Sequence, residues 1–132
     1  MTVVDASVIV AALIAANETG LWAESVLEME DLVAPHFLPV EVAHSLRAAV
    51  RAGVISDERA TREHLRLLSL PVALLPYAPV ASRVWQLRHN VTPYDAWYVA
   101  LAEDLDVALA TIDGNLVRSP GPRCRFLTPP AV

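Results

Sequence analysis

The chain has 132 residues, 55% of them hydrophobic, which fits a single domain over residues 1–132 with a substantial core. Its net charge of −5 excludes a uniformly basic nucleic-acid binder, and the complete absence of lysine excludes a Walker A phosphate loop. The longest apolar run, Val8–Ala16, is too short to span a bilayer, and the single Cys124 cannot form an internal disulfide, so we expect a cytoplasmic protein with no membrane partner.

Strand and helix patterns alternate along the first part of the chain. A short apolar strand ends at Asp5, and a helical run follows it until Asn17–Gly20 breaks the pattern. Pro39 suits the first turn of a later helix, which ends near Gly53. The predicted elements are, in order, strand 2–4, helix 6–16, helix 21–29, strand 32–34 and helix 39–53.

The same alternation continues in the second part of the chain. Ser56 predicts an N-cap, because Asp57 and Glu58 then fall in the first turn of the helix, where acidic side chains are favourable. The remaining predicted elements are strand 72–75, helix 80–89, helix 93–105, strand 107–110, short helix 113–118 and edge strand 126–127. This order predicts an α/β fold, a three-layer sandwich with a central, mostly parallel sheet.

Four acidic residues fall at strand ends or in the first turns of helices: Asp5, Glu41, Asp95 and Asp113. Ligands of open parallel sheets bind outside the carboxyl ends of the strands, so these side chains are expected at one edge. Carboxylates in apolar surroundings repel one another and are costly to desolvate unless a cation neutralises them. Oxygen ligands favour Mg²⁺ or Mn²⁺, which catalyse displacements at phosphorus. The pattern therefore predicts one shared metal site.

Each acid taken singly also has a structural explanation. Thr92–Asp95 fits a capping box, Asp113 before a glycine fits a turn or an N-cap, and Glu41 is favourable near a helix N-terminus. Asp5 is different, because no local cap sequence explains a carboxylate at that strand end. Both interpretations remain open for each residue alone.

The acids lie in four short strings of sequence: Val3–Ser7, Pro39–Ala43, Tyr94–Ala102 and Ala110–Asp113. In this order the strings resemble the PIN domain, and in particular the VapC toxins of bacterial and archaeal toxin–antitoxin pairs. The most specific part is Tyr-Asp-Ala-x-Tyr-Val-Ala-Leu-Ala with Thr-x-Asp downstream. The resemblance extends from Val3 to about Leu127.

This resemblance implies a Mg²⁺- or Mn²⁺-dependent endoribonuclease that hydrolyses RNA with metal-activated water. Its catalytic and metal-binding centre would be formed by the four acids Asp5, Glu41, Asp95 and Asp113. By the same match Ser7 and Thr111 become polar supports of the carboxylates. Asn115 stands where some relatives carry a further acid, which leaves a second metal open.

The resemblance also implies three partners: an RNA substrate, a small VapB-like antitoxin and a second copy of the chain in a homodimer. Residues 1–46 carry a charge of −7 and residues 47–132 a charge of +2, so RNA binding would rely on arginines near the site. The candidates nearest in sequence to the acids are Arg47, Arg51, Arg88 and Arg118. Core or interface packing is the expectation for Trp22, Trp85 and Trp97.

Two other functions compete with this interpretation. A haloacid-dehalogenase-like, metal-dependent phosphatase needs a second aspartate two residues after the first and a lysine, but Ser7 occupies that position and lysine is absent. A catalytically degenerate PIN-like binding module would have lost an acid, whereas all four are present.

Overall fold

The computed structural model describes residues 1–130, so the last two residues of the predicted domain lie outside the described part of the chain. Within these residues there are five strands: β1 Thr2–Val4, β2 Leu32–Pro35, β3 Val72–Leu75, β4 Leu109–Ala110 and β5 Phe126–Leu127. They form one sheet in which every pairing is parallel, in the order β3-β2-β1-β4-β5. The predicted α/β sandwich is confirmed, and its mostly parallel sheet is parallel throughout.

Seven α-helices surround the sheet over the described residues. They are α1 Ala6–Ile14, α2 Glu18–Leu27, α3 Leu38–Arg51, α4 Asp57–Ser69, α5 Ala81–Gln86, α6 Pro93–Leu105 and α7 Gly114–Arg118. The first four helices pack on one another, whereas α5 packs on α6, and α6 lies against β1, β2 and β4. No single helix within residues 1–130 is long and apolar enough to cross a membrane, although α1 and α2 would pass that test jointly as a pair bent by 115°.

The predicted break between two helices is present at Asn17, but it does not extend to Gly20, because α2 already begins at Glu18. Asn17 is its N-cap, and its side chain accepts a hydrogen bond from the amide of Gly20 at 3.0 Å. Gly20 is needed for packing: a Cβ there would lie 2.0 Å from the carbonyl oxygen of Ala15. The glycine therefore permits the close approach between the end of α1 and the start of α2.

Among the other predicted elements that are shorter than expected, two show a physical reason. Helix 80–89 is divided into a 3₁₀ turn at Ala78–Val80 and α5, which ends at Gln86. Strand 107–110 begins only at Leu109, because the amide of Val107 closes the end of α6 by donating to Ala102. Asp106 makes this closure possible with a left-handed backbone, φ 53°.

The central strands position the candidate site. Val3 and Val4 of β1 and both residues of β4 are fully buried, which is typical of a sheet covered on both faces. Val4 pairs with Ala110, so the two strands end side by side. Their next residues, Asp5 and Thr111, therefore emerge at the same edge of the sheet.

Candidate active site

A cavity of about 520 Å³ opens at the carboxyl edge of the sheet, and all four predicted acids line it: Asp5, Glu41, Asp95 and Asp113. The other lining residues belong to the first two turns of α1, α3 and α6 or directly precede α3; the full set is Ala6, Ser7, Phe37, Val40, His44, Ser45, Tyr94 and Tyr98. Within the described part of the chain, no arginine lines this cavity. The sequence-based grouping of the acids therefore matches their positions in space.

Asp5 follows β1 and is also the N-cap of α1, a role that its local sequence did not indicate. Its Oδ1 accepts hydrogen bonds from the hydroxyl of Ser7 and, at 3.2 Å, from the amide of Val8. Only 6% of the residue is exposed. Burial raises the pKa of Asp5 to about 6, although the bonds from Ser7 and Val8 lower it and the charge of Asp95 raises it further.

Ser7 and Thr111 connect the acids to the backbone around them. The Ser7 hydroxyl donates to Asp5 and accepts from the amide of Ile112 at 3.2 Å, so it links α1 to the segment after β4. Thr111 is fully buried, and its Oγ1 accepts from the amide of Asp113 at 3.1 Å. Both hydroxyls thus restrain the positions of carboxylates at the two strand ends.

Glu41 is held by a tyrosine that the sequence analysis did not single out. Tyr98 of α6 is buried, and its hydroxyl donates to Glu41 Oε1 at 2.7 Å. Burial raises the pKa of Glu41, the bond from Tyr98 lowers it, and the charge of Asp95 raises it. Burial and the neighbouring Glu41 raise the pKa of Tyr98, so the phenol remains a donor. The pair joins α3 to α6 across the cavity.

Asp95 lies in the first turn of α6, and the predicted cap at Thr92 is confirmed. The amide of Asp95 donates to the Thr92 hydroxyl at 3.3 Å. Burial raises the pKa of the Asp95 carboxyl, and the charge of Asp113 raises it further. Asp113 therefore lies close enough for its charge to act on Asp95.

Asp113 satisfies the structural and the functional interpretation together. It is the N-cap of α7, where its Oδ1 accepts from the amides of Asn115 at 2.9 Å and Leu116 at 3.3 Å. Its side chain nevertheless lines the acidic cavity. As at Asp5, the helix-capping hydrogen bonds all go to Oδ1, and Oδ2 accepts none of them.

The donor set suits a hard divalent cation. Four carboxylates share the cavity, three of them have a pKa raised by burial and by a neighbouring charge, and no arginine of the described residues lines the cavity to offset them. Across residues 1–130, however, no three His, Cys, Asp or Glu groups form a ready-made ligand cage. This spacing fits an ion that keeps part of its water shell, as Mg²⁺ commonly does.

The predicted RNA-binding arginines do not converge on the acids. Arg47 and Arg51 line a second cavity of about 500 Å³ between α3 and α4. Arg88 lies over the ring of Trp85 at 4.5 Å from its centroid, and Trp85 is 63% exposed, so it is not a core residue. Trp22 and Trp97 do pack against the core.

Asn115 is exposed and is not among the residues that line the acidic cavity. Its Oδ1 accepts a hydrogen bond from the Arg118 guanidinium at 3.2 Å. The Asn115 side chain, which was expected near a second metal, is therefore hydrogen-bonded within α7, and its partner is Arg118.

Several lining residues were missed although their spacing from the acids carried a signal. His44 and Ser45 lie three and four residues after Glu41, and Tyr98 lies three residues after Asp95. Residues at these spacings share a helix face. The aromatic pair formed by Phe37 and Tyr94 offered no such signal, because it joins the residue before α3 to a residue of α6.

Comparison with known proteins gives a consistent set of relatives. The family model described as PIN domain matches residues 2–121. Ribonuclease VapC1 of Mycobacterium tuberculosis is 43% identical over 128 residues, which covers 94% of each chain. Ribonuclease VapC12 of the same species is 40% identical over 121 residues, covering 92% of this chain and 93% of the relative. The crystal structure of FitAcB from Neisseria gonorrhoeae has a TM-score of 0.70 at 22% identity and covers 98% of both chains.

Proposed function

The chain belongs to the PIN-domain family and, within it, to the VapC ribonucleases, and from this membership and the acidic cavity we propose that it is a metal-dependent endoribonuclease, the toxin of a VapBC-like toxin–antitoxin pair. A single observation carries the proposal of catalysis. Asp5, Glu41, Asp95 and Asp113 line one cavity that, among the described residues, contains no compensating arginine.

We propose that these four carboxylates hold Mg²⁺ or Mn²⁺. The chemistry that such a cation supplies when bound is activation of water for attack on a phosphodiester and neutralisation of charge on the leaving oxygen. The raised pKa values support this assignment, because a cation relieves the repulsion and the burial that raise them.

Neighbouring residues of the chain hold the carboxylates and the substrate phosphate in position. Asp5 is fixed by Ser7 and by the α1 backbone, and Glu41 is fixed by Tyr98, so neither carboxylate needs to reorganise when substrate arrives. The N-termini of α1, α3 and α6 meet at the cavity, and their positive ends favour a phosphate there. Attack by water gives products with a 5′-phosphate and a 3′-hydroxyl, and it requires no catalytic lysine.

We further propose a small VapB-like antitoxin and a second copy of this chain as protein partners, with RNA cleavage in the cytoplasm. Family membership supports the antitoxin. Co-expression of the chain with the reading frame next to its gene should give a stable complex and relieve growth inhibition. Light scattering of the purified chain should give twice the mass of 14.3 kDa for one copy.

The experiment that tests catalysis uses chain freed of any partner, incubated with single-stranded RNA and Mg²⁺ or Mn²⁺. We expect cleavage that stops on addition of EDTA and products that end in 5′-phosphate and 3′-hydroxyl groups. Cleavage that survives chelation, or products with cyclic 2′,3′-phosphates, would refute the mechanism.

Two substitutions on α6 provide a matched comparison. Asp95→Asn removes a charge from the cavity, whereas Asp104→Asn removes the same charge from an exposed position of the same helix. We expect cleavage to be lost in the first variant and retained in the second, with both folded by circular dichroism. Equal activities would mean that Asp95 is only a helix-start residue.

A further inference from the structure

An aromatic pair stands at the wall of the acidic cavity. Phe37 precedes α3 and Tyr94 is the second residue of α6, and their ring centroids lie 5.2 Å apart with an interplanar angle of 33°. Both residues line the cavity, and Tyr94 is 56% exposed. A large ring left in solvent beside charged groups is not explained by core packing.

The composition of the cavity restricts what this wall can bind. Beside the carboxylates the lining includes Ser7, His44 and Ser45, and its remaining side chains are apolar or aromatic, among them Val40, which is 57% exposed. None of the described arginines lines the cavity, so an arginine–phosphate ion pair does not hold RNA at this point. A neutral, flat group is the chemistry that fits an exposed ring here, and every nucleobase presents such a face.

We propose that Phe37 and Tyr94 form a stacking platform for one nucleobase of a single-stranded RNA, next to the phosphate that is cut. This inference rests on the proposed ribonuclease function and adds a binding subsite to it. Tyr94 directly precedes Asp95, so a base stacked on the ring brings its adjoining phosphate to the carboxylates. Tyr94 is thus a substrate-binding residue that contacts the RNA away from the reacting atoms.

The platform has a consequence for the choice of substrate. A base can lie on the ring only after it has left its neighbours in a helix, so RNA loops and single strands are accepted and continuous duplexes are rejected. Because stacking uses the face of the base and not its edge, the platform tolerates all four bases.

The test measures binding of a fluorescein-labelled single-stranded RNA by anisotropy, with Mg²⁺ and in an Asp5→Asn background that does not cut the probe. Tyr94→Leu keeps an apolar side chain and removes the ring, and we expect affinity to fall by about 5- to 150-fold. Tyr94→Phe keeps the ring, and we expect it to restore the affinity. Phe37→Leu should weaken binding in the same direction.

A double-mutant cycle identifies the base concerned. Each probe lacks one base, and the missing base is moved along the RNA from probe to probe. We expect one of these probes to bind the protein with Tyr94 less tightly than the intact RNA does, and this loss of affinity should disappear in Tyr94→Leu. Trp85→Leu is the control, since Trp85 is exposed outside the cavity and its face is covered by Arg88. We expect Trp85→Leu to bind RNA like its parent.

Three results would overturn the inference. The first is an RNA affinity that is unchanged in Tyr94→Leu. The second is a loss of affinity for the abasic probe that is as large in Tyr94→Leu as in the protein with Tyr94. The third is a loss of affinity in Trp85→Leu as large as that in Tyr94→Leu. Unchanged RNA binding together with weakened binding of a co-purifying protein would assign the pair to protein recognition instead. Failure of the underlying function is seen separately, as a wild-type chain that shows no chelator-sensitive cleavage.

Discussion

Replacing Asp5 by asparagine should stabilise the metal-free protein while it abolishes RNA cleavage. The side chain is 6% exposed, and burial raises its pKa from 3.8 to about 6. At about 1.36 kcal/mol per pH unit, this difference corresponds to about 3 kcal/mol by which the ionised carboxylate destabilises the folded chain at neutral pH. Asparagine removes that charge.

The gain is expected to be somewhat smaller than this figure. The asparagine Oδ1 can still accept from Ser7 and Val8, so the cap of α1 is kept. The new amide group, however, replaces Oδ2 and needs an acceptor of its own. We expect the free energy of unfolding in EDTA at neutral pH to rise by about 1–3 kcal/mol.

The pH dependence has a definite sign. Because the pKa of Asp5 is higher in the folded than in the unfolded chain, the folded state binds more protons between pH 3.8 and about 6. Wild-type stability therefore falls through that window as pH rises, relative to the asparagine variant. The difference in the free energy of unfolding between the two proteins should be small near pH 3.8 and should reach its full size above about pH 6.

Urea unfolding at a series of pH values in EDTA measures this difference. Asp5→Ala is the control that removes charge and cap together, and it should be less stable than Asp5→Asn by about 0.5–2 kcal/mol. Adding Mn²⁺ should stabilise wild type more than Asp5→Asn, since ligand binding adds to folding stability. An asparagine variant that is no more stable than wild type at neutral pH, or a gain that does not vary with pH, would refute the reasoning.

Three further predictions concern other parts of the molecule. Tyr98→Phe removes the donor to Glu41, so we expect weaker Mn²⁺ binding by calorimetry and slower cleavage in a folded protein; unchanged values for both would mean that the bond does not position Glu41. Asn115→Asp should leave Mn²⁺ affinity and stoichiometry unchanged, because this side chain bonds to Arg118 outside the cavity; tighter binding in calorimetry would place it among the ligands. Burial raises the pKa of Cys124 to about 11, so iodoacetamide should modify it slowly at neutral pH and rapidly after unfolding; fast modification of the folded chain by mass spectrometry would contradict the burial.

The fold and the four acids could be predicted because the signals for both lie within short stretches of sequence. Strand ends and helix starts have cap and proline signals, and each acid lies in a recognisable string, so the sequence alone groups Asp5 with Asp95. The bond between Tyr98 and Glu41 joins residues 57 positions apart and depends on how α3 packs near α6. No local pattern encodes that contact.

The arginines show why proximity in sequence failed. Arg47 lies six residues after Glu41 on α3, which is about 240° around the helix. The two side chains therefore leave the helix in different directions, and Arg47 faces the groove toward α4. Gly20 was misassigned for a related reason, because its role is set by a close contact with Ala15 and not by its helix propensity.

The double use of Asp5 and Asp113 limits how this site can decay during evolution. Each carboxylate begins a helix through Oδ1 and also lines the cavity, so most replacements would lose the activity and the helix start together. Asparagine and serine are exceptions, because they cap helices well but carry no charge. A lineage under selection to silence the enzyme while keeping the folded chain is therefore expected to fix asparagine or serine at these two positions first. Silenced descendants could then be recognised by that pair of substitutions in an otherwise intact fold.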